Sequence, residues 1–118
     1  MNYDQCPVIR TLELIGGKWK PIILHYLNES PCRTGELSRL IPHASTKMLT
    51  QQLRELERDG IVRRKVYNQV PPKVEYSLTP RGQSLRPIIL AMCAWALENP
   101  KLESSKAKLG KETVQNTR

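Results

Sequence analysis

Cationic and amide side chains recur at helical spacing between positions 45 and 60. At about 100° per residue, Lys47, Gln51, Arg54 and Arg58 fall on one side of a helix, with Thr50 on its flank. Lysine and arginine bind phosphates, and lysine, threonine and glutamine also hydrogen-bond to base edges in a DNA groove. This face therefore predicts a nucleic-acid surface, with an ordinary solvated helix side as the alternative.

The opposite face of the same segment is apolar, and both ends carry helix signals. Leu49, Leu53 and Leu56 fall in a narrow arc. Ser45 is a good N-cap, because its hydroxyl can accept a hydrogen bond from an unpaired first-turn N–H. Gly60 can adopt the left-handed conformation that ends a helix. The segment is therefore predicted to form one amphipathic helix between the serine and the glycine.

The segments around this helix predict a helix-turn-helix followed by a wing. Residues 33–40 predict a short helix, and residues 41–43 interrupt it. Residues 61–67 predict a strand, residues 68–73 a polar loop stiffened by two prolines, and residues 74–78 an alternating return strand. The sequence leaves open whether a proline bond in this loop is cis. This order of elements is that of a winged helix-turn-helix, a mainly α fold with a small β-hairpin.

Position along the helix predicts which part of DNA each candidate meets. Lys47, Thr50 and Gln51 lie near the N-terminus, the end that enters the major groove in this motif, so we expect base contacts. Thr46 could act there or bind a phosphate, and the two arginines farther along should meet phosphates.

Wing residues extend this set. Asn68 and Lys73 lie near the hairpin tip, within reach of a phosphate or the minor groove. Arg63, Arg64 and Lys65 alternate along a strand, so they cannot all face one partner. The candidate DNA-binding residues are Ser45, Thr46, Lys47, Thr50, Gln51, Arg54, Arg58, Arg64, Asn68 and Lys73.

Charge and length agree with a small nucleic-acid-binding protein. The chain has 118 residues, a net charge of +8 and a pI of about 9.7, which suggests an anionic partner such as nucleic acid or a membrane surface. Residues 33–73 hold nine lysines and arginines against four acidic residues, whereas residues 1–32 hold three of each. We expect one domain over residues 1–98 and a flexible polar tail over residues 99–118.

Several other classes of protein are not expected. No stretch approaches the roughly 20 apolar residues of a membrane span, and the polar start does not resemble a signal peptide, so we expect a cytoplasmic protein. The three cysteines predict neither a disulfide framework nor a CxxC zinc site. Two histidines and two aspartates at unrelated positions predict no catalytic set, metal or cofactor, so an enzyme is not expected.

The remaining segments predict helices with apolar faces. Helices are predicted over residues 7–15 and 18–27, and a single long helix should begin at Pro80 and bend at Pro87. The apolar faces of the first and last helices predict a two-fold dimer, although the last helix could instead wrap its own domain. The candidate interface residues are Val8, Leu12, Leu85, Ile88, Ile89, Met92 and Trp95.

Taken together, the chain resembles the HxlR-type winged-helix transcriptional regulators, relatives of the MarR-like repressors. The resemblance rests on residues 6–8, 14–19, 45–50, 53–60, 66–67 and 70–79. It implies a dimeric bacterial regulator with its recognition helix at 45–58 and its wing at 67–74. We expect sequence-specific repression from a palindromic operator, because a dimer on a promoter excludes polymerase. A sequence-independent architectural or RNA-binding protein is the alternative.

Cys6 is the candidate for a redox or electrophile response. As the predicted N-cap of the first helix it meets the partial positive charge there, which favours the thiolate, while Asp4 opposes this. The resemblance implies sensing, because some relatives use the matching cysteine to sense oxidants, quinones or aldehydes. A small buried structural cap is the alternative. Cys93 is the weaker candidate, as a resolving partner across the dimer.

Overall fold

A computed structural model describes residues 2–101 of the chain. After a 3₁₀ helix at Tyr3–Gln5, this part consists of α1 (Pro7–Ile15), α2 (Trp19–Leu27), α3 (Thr34–Leu40), α4 (Thr46–Arg58), β1 (Val62–Tyr67), β2 (Lys73–Leu78), α5 (Pro80–Gln83) and α6 (Arg86–Glu98). None of these helices has the length and apolar character needed to span a bilayer. Most of the predicted tail, residues 102–118, lies outside the described residues.

Helix α4 begins and ends where its sequence signals predict. The Ser45 hydroxyl accepts a hydrogen bond from the backbone N–H of Met48 at 3.0 Å, which satisfies a first-turn donor. Gly60 has a φ of +76°, a conformation that costs a glycine little. The inner face of α4 is fully buried through Leu49, Leu53 and Leu56.

The core of the domain forms around that face. Helix α2 packs across α4, while α3, β1, β2 and α6 close the remaining sides. The buried apolar residues supplied by these other elements include Ile23, Leu24, Leu27, Leu37, Val62, Tyr76, Leu78 and Ile89. Because α3 and α4 share this core, their relative orientation is fixed by packing rather than by the short turn between them.

The wing is an antiparallel hairpin that is anchored to the helices at its base. Its register pairs Val62 with Leu78 and Val66 with Val74. At the base, Cys32 and Tyr76 exchange two backbone hydrogen bonds of 3.0 and 2.8 Å, which extends the sheet by one residue. The Val70–Pro71 peptide bond, in the loop at the tip, is cis. The predicted winged helix-turn-helix is confirmed, with α3 and α4 as the two helices and β1–β2 as the wing.

The prediction of one long final helix is wrong, because the chain forms α5 and α6 there. Thr79 caps α5 by accepting a hydrogen bond from the Gly82 N–H at 3.0 Å, and Ser84 and Leu85 separate the two helices. Pro87 lies in the first turn of α6, where its missing N–H has no helical partner to lose. The proline therefore marks the start of a helix rather than a bend within one.

Candidate nucleic-acid interface

The outward face of α4 is exposed along its length. Thr46, Lys47, Gln51, Arg54 and Arg58 are exposed and Thr50 is half-buried. Four of the predicted residues, Lys47, Thr50, Gln51 and Arg54, line one shallow depression. The hydroxyl of Ser45 caps the helix, so its first role is structural. The structure thus brings the predicted base-contacting residues together at the N-terminal half of α4.

A second depression joins α4 to the wing. It is lined by Thr50, Arg54, Glu57, Arg64 and Tyr76, so the guanidinium-bearing side chains of α4 and β1 share one surface. Arg63 lies in a different hollow, beside the turn that follows α2. The alternation predicted for β1 is therefore present, and Arg64 is the arginine that continues the cationic face of α4.

The wing carries a compact cluster around Tyr67. The ammonium groups of Lys65 and Lys73 lie 4.8 and 4.7 Å from the centre of its ring. Its hydroxyl donates a hydrogen bond of 2.9 Å to Glu75, and this bond raises the pKa of Tyr67. The second carboxylate oxygen of Glu75 lies 3.8 Å from the ammonium of Lys73. The positive charge of Lys73 is therefore partly balanced by the carboxylate of Glu75, whereas Asn68 is exposed.

Arg58 differs from the other cations of α4 because a carboxylate pairs with it. Its Nε donates to Asp59 at 3.3 Å, and this hydrogen bond raises the pKa of the guanidinium. Within residues 2–101, Lys47 and Arg54 form no such ion pair. The cations most available to an external anion thus lie in the first two-thirds of α4.

A partly buried ion pair, which the sequence analysis missed, joins α4 to α2 behind this face. Lys20 of α2 is only 7% exposed, and its ammonium lies 2.6 Å from a carboxylate oxygen of Glu55 on α4. The other carboxylate oxygen accepts a hydrogen bond from the Gln51 amide at 3.4 Å. The sequence feature that could have indicated this ion pair is a charged lysine within the largely apolar α2. Periodicity within one helix does not reveal which carboxylate on another helix will meet it.

The ionisation of Glu55 should make stability depend on pH. The hydrogen bond from Lys20, followed by the one from Gln51, lowers the pKa of Glu55 below its ordinary 4.5. The carboxylate therefore stabilises the fold above the unfolded-state pKa, and this contribution is lost as pH falls through that value toward the folded-state pKa. We expect the difference in denaturation midpoint between wild type and Glu55→Gln to be largest at neutral pH and to shrink on acidification.

Glu57→Gln is the matched control, because Glu57 is exposed on the same helix. Its difference from wild type should stay small throughout the titration. A Glu55→Gln difference that does not change across the ordinary glutamate range would contradict the assigned role of the ion pair.

A sequence model described as HxlR-like helix-turn-helix matches residues 14–104. The chain belongs to this family. The matched range includes α2 to α6. It therefore contains all of the exposed surface formed by Lys47, Thr50, Gln51, Arg54 and Arg64, which we call the recognition surface.

The relatives of this HxlR-like chain carry names of transcriptional or redox regulators. The uncharacterized HTH-type transcriptional regulator YkvN of Bacillus subtilis is 59% identical over 95 residues, which cover 80% of each chain. The structure of the redox regulator HypR in its oxidized form has 52% identity and a TM-score of 0.80, and covers 82% of this chain and 100% of that one. The quinone-bound transcriptional regulator YodB from B. subtilis has 36% identity and a TM-score of 0.65, with 79% and 99% covered. The HxlR-like chain is accordingly a helix-turn-helix transcriptional regulator.

The three thiols of this HxlR-like regulator lie in different surroundings. Cys6 is the N-cap residue of α1 and is half-buried, although its sulfur accepts no capping hydrogen bond among the described residues. Cys32 is buried, and burial, followed by the charge of Glu36, raises its pKa. Cys93 lies 3.7 Å from His25 of the same chain. Within residues 2–101, no three side chains are grouped as a metal site would require.

The predicted dimer residues separate into two groups. Val8 and Leu12 on α1, and Ile88, Met92 and Trp95 on α6, are exposed apolar side chains, with Trp95 66% exposed. Ile89 is only 2% exposed and belongs to the core of its own domain, and Leu85 packs half-buried against that core. Ile89 therefore has no surface to offer a second subunit, and its assignment to the interface is wrong.

Proposed function

We propose that this HxlR-like regulator is a homodimer that binds a palindromic double-stranded DNA operator and represses transcription. The observation that supports this most directly is the single exposed surface formed by Lys47, Thr50, Gln51 and Arg54 and continued by Arg64. It joins hydrogen-bonding groups for base edges to cations for the flanking phosphates. The domain over residues 1–98 supplies both this surface and the contacts between subunits.

The dimer part of the proposal is supported by apolar side chains that the single domain leaves exposed. Ile15 is the only buried residue of α1, and Ile89 is the only buried residue of α6. A two-fold axis would let the same patch cover itself in both subunits. It would also present two recognition helices about 34 Å apart, to successive major grooves on one side of the duplex.

Analytical sedimentation measures the oligomeric state of the protein directly. The wild-type protein should sediment as a dimer at micromolar concentration, and Leu12→Glu should shift it to monomer because a carboxylate would be buried between the subunits. Val66→Glu places the same charge on an exposed apolar site of β1, outside the proposed interface, and should leave the dimer intact. A wild-type monomer that DNA does not dimerise would remove the basis for a palindromic operator.

Sequence specificity separates repression from the alternative of an architectural nucleic-acid-binding protein. A gel shift with the DNA upstream of the protein's own gene, titrated with excess unrelated duplex, should give a specificity ratio of about 10³ to 10⁷. An architectural protein would bind both duplexes with similar affinity. A reporter fused to the same promoter then tests repression, since expression should rise when the regulator is deleted.

Individual substitutions should distinguish residues that contact bases from residues that contact phosphates. Gln51→Ala or Lys47→Ala should cost about 1–3 kcal/mol on the specific site and little on random DNA. Arg64→Ala should weaken binding to both and reduce the slope of log K against log salt concentration by about one. Fluorescence anisotropy over a range of salt concentrations measures all three. Equal losses on both duplexes for every variant would show that the contacts are wrongly assigned.

We also propose that Cys6 makes DNA binding responsive to oxidants or quinones. The position of Cys6 at the start of α1 supports this, as do a redox regulator and a quinone-bound regulator among the similar structures. Modification would shift α1 against the other subunit and change the separation of the recognition helices. Operator binding by wild type and Cys6→Ser, before and after quinone, tests it. Equal release from both proteins, or from neither, would reject Cys6.

A further inference from the structure

A groove between α2 and α6 brings a thiol and an imidazole together on an apolar surface. The sulfur of Cys93 lies 3.7 Å from Nδ1 of His25, although 68 residues separate them in sequence. The groove has a volume of about 390 Å³. Its other lining residues are Pro21, Ile22, Tyr26, Ile89, Met92 and Ala96. The side-chain heteroatoms that converge there are thus few and include a nucleophile beside a base.

We propose that this groove binds a small apolar conjugated carbonyl compound, such as an enone or a quinone, and that Cys93 adds to it. The volume suits a ligand of roughly one ring, since small-molecule sites begin at about 300 Å³. The apolar lining favours a ring that carries little charge. The rings of His25 and Tyr26 lie in a T-shaped arrangement with their centres 4.9 Å apart, so the imidazole has an aromatic neighbour within the groove.

The addition needs no reagent besides the ligand. With the ring hydrogen on Nε2, Nδ1 of His25 can accept the proton of the Cys93 thiol. The sulfur then forms a bond to the β-carbon of the enone, and the electron pair of the carbon–carbon double bond moves to the carbonyl as an enolate. The imidazolium of His25 returns the proton to the α-carbon. The product is a thioether, or for a quinone a sulfur-substituted hydroquinone, and all atoms and electrons of thiol and ligand are retained.

The groove does not include Cys6, and it shares only Met92 with the exposed residues of the proposed dimer surface, which are Val8, Leu12, Ile88, Met92 and Trp95. On α6, Cys93 lies about 140° around the helix from Ile88 and about 160° from Trp95, so the groove and the dimer surface occupy different sides. Met92 lies between the two sides and lines the groove. A ligand on Cys93 would therefore touch the edge of the dimer surface while Cys6 remained free.

Competitive labelling of the reduced, full-length protein tests the proposal. Cyclohexenone is the apolar conjugated probe, and iodoacetamide is a small polar reagent for the same thiols. Peptide mass spectrometry gives the labelling rates of Cys93 and Cys6 in one sample, so reagent reactivity cancels in their ratio. The Cys93-to-Cys6 ratio should be at least about tenfold higher with cyclohexenone, because only that probe gains from burial of its ring. Equal ratios for the two reagents would overturn the proposal.

Two variants test separately the role of His25 as a base and the role of the groove in binding the ligand. His25→Phe keeps an aromatic ring but removes the proton acceptor, and should slow labelling of Cys93 by at least about tenfold while Cys6 is unchanged. Ala96→Leu changes an exposed residue and fills the groove, so Cys93 should lose its preference for cyclohexenone but still react with iodoacetamide. Circular dichroism verifies the fold of each variant. If either folded variant labels as wild type does, the proposal fails, and the DNA-binding proposal is unaffected because no step involves DNA.

Discussion

Replacing Leu53 by alanine should lower the free energy of unfolding by about 2–5 kcal/mol, the usual cost of a cavity at a fully buried leucine. Leu53 has no exposed surface and lies at the middle of the inner face of α4. The contacts that alanine removes join α4 to the rest of the core. The position of the recognition surface on α4 therefore depends on them. Chemical denaturation monitored by circular dichroism measures the loss.

Leu40→Ala is the matched control for this measurement. The side chain of Leu40, at the end of α3, is already 44% exposed, so its truncation opens little new cavity. We expect its cost to be less than half that of Leu53→Ala. Similar losses from both variants would mean that α4 is less firmly packed than the structure indicates.

Gly82→Ala is expected to cost about 1–3 kcal/mol, the range found when extra volume is forced into a packed region. Gly82 is buried in α5, and an added Cβ would overlap the carbonyl oxygen of Ile61. That carbonyl cannot move freely, because it accepts a backbone hydrogen bond from Thr79 at 3.1 Å. Thermal or chemical denaturation should therefore show a clear loss of stability.

The same substitution at Gly35 is expected to act in the opposite direction. Gly35 is exposed in α3, and a Cβ there would meet only the end of the Arg39 side chain, at 3.9 Å. Alanine should stabilise the folded protein by about 0.4–1 kcal/mol, since it restricts the unfolded chain without a clash. If both alanine variants changed stability in the same direction, close packing would not explain the glycine at position 82.

Local signals were sufficient to predict most of the elements. Ser45 and Gly60 mark the ends of α4 because the preferences for capping and for the left-handed conformation are local properties of these residue types. The bend predicted at Pro87 is wrong, because a proline suits the first turn of a new helix as well as a bend within a continuous one. In the structure the helix is interrupted at Ser84 and Leu85, between α5 and α6, although neither residue is a strong helix breaker.

Contacts between distant residues could not be predicted from one sequence. Lys20 meets Glu55, and His25 meets Cys93, across 35 and 68 residues respectively. Periodicity assigns each residue to a face of its own helix, but the pairing of faces depends on how helices cross in the folded core. Ile89 was misassigned for the same reason, since an apolar face alone does not indicate whether it meets its own domain or a second one.

Helix α2 is the element that these long-range pairs have in common. His25 lines the groove on one side of α2, while Lys20 holds Glu55, and through it Gln51, on another side. A displacement of α2 by a ligand in the groove would therefore reach the recognition surface through a single helix.

The outer edge of the wing bears on how soluble the protein is at high concentration. Within the described residues, β1 pairs only with β2, so its outer edge leaves backbone donors and acceptors available to another strand. Arg63, Arg64 and Lys65 occupy the middle of that strand and are all exposed. Two hairpins that approached edge to edge would bring six like charges together without intervening anions. The residues that make the wing cationic thus also discourage it from extending into intermolecular sheets, and solubility should fall if they are neutralised.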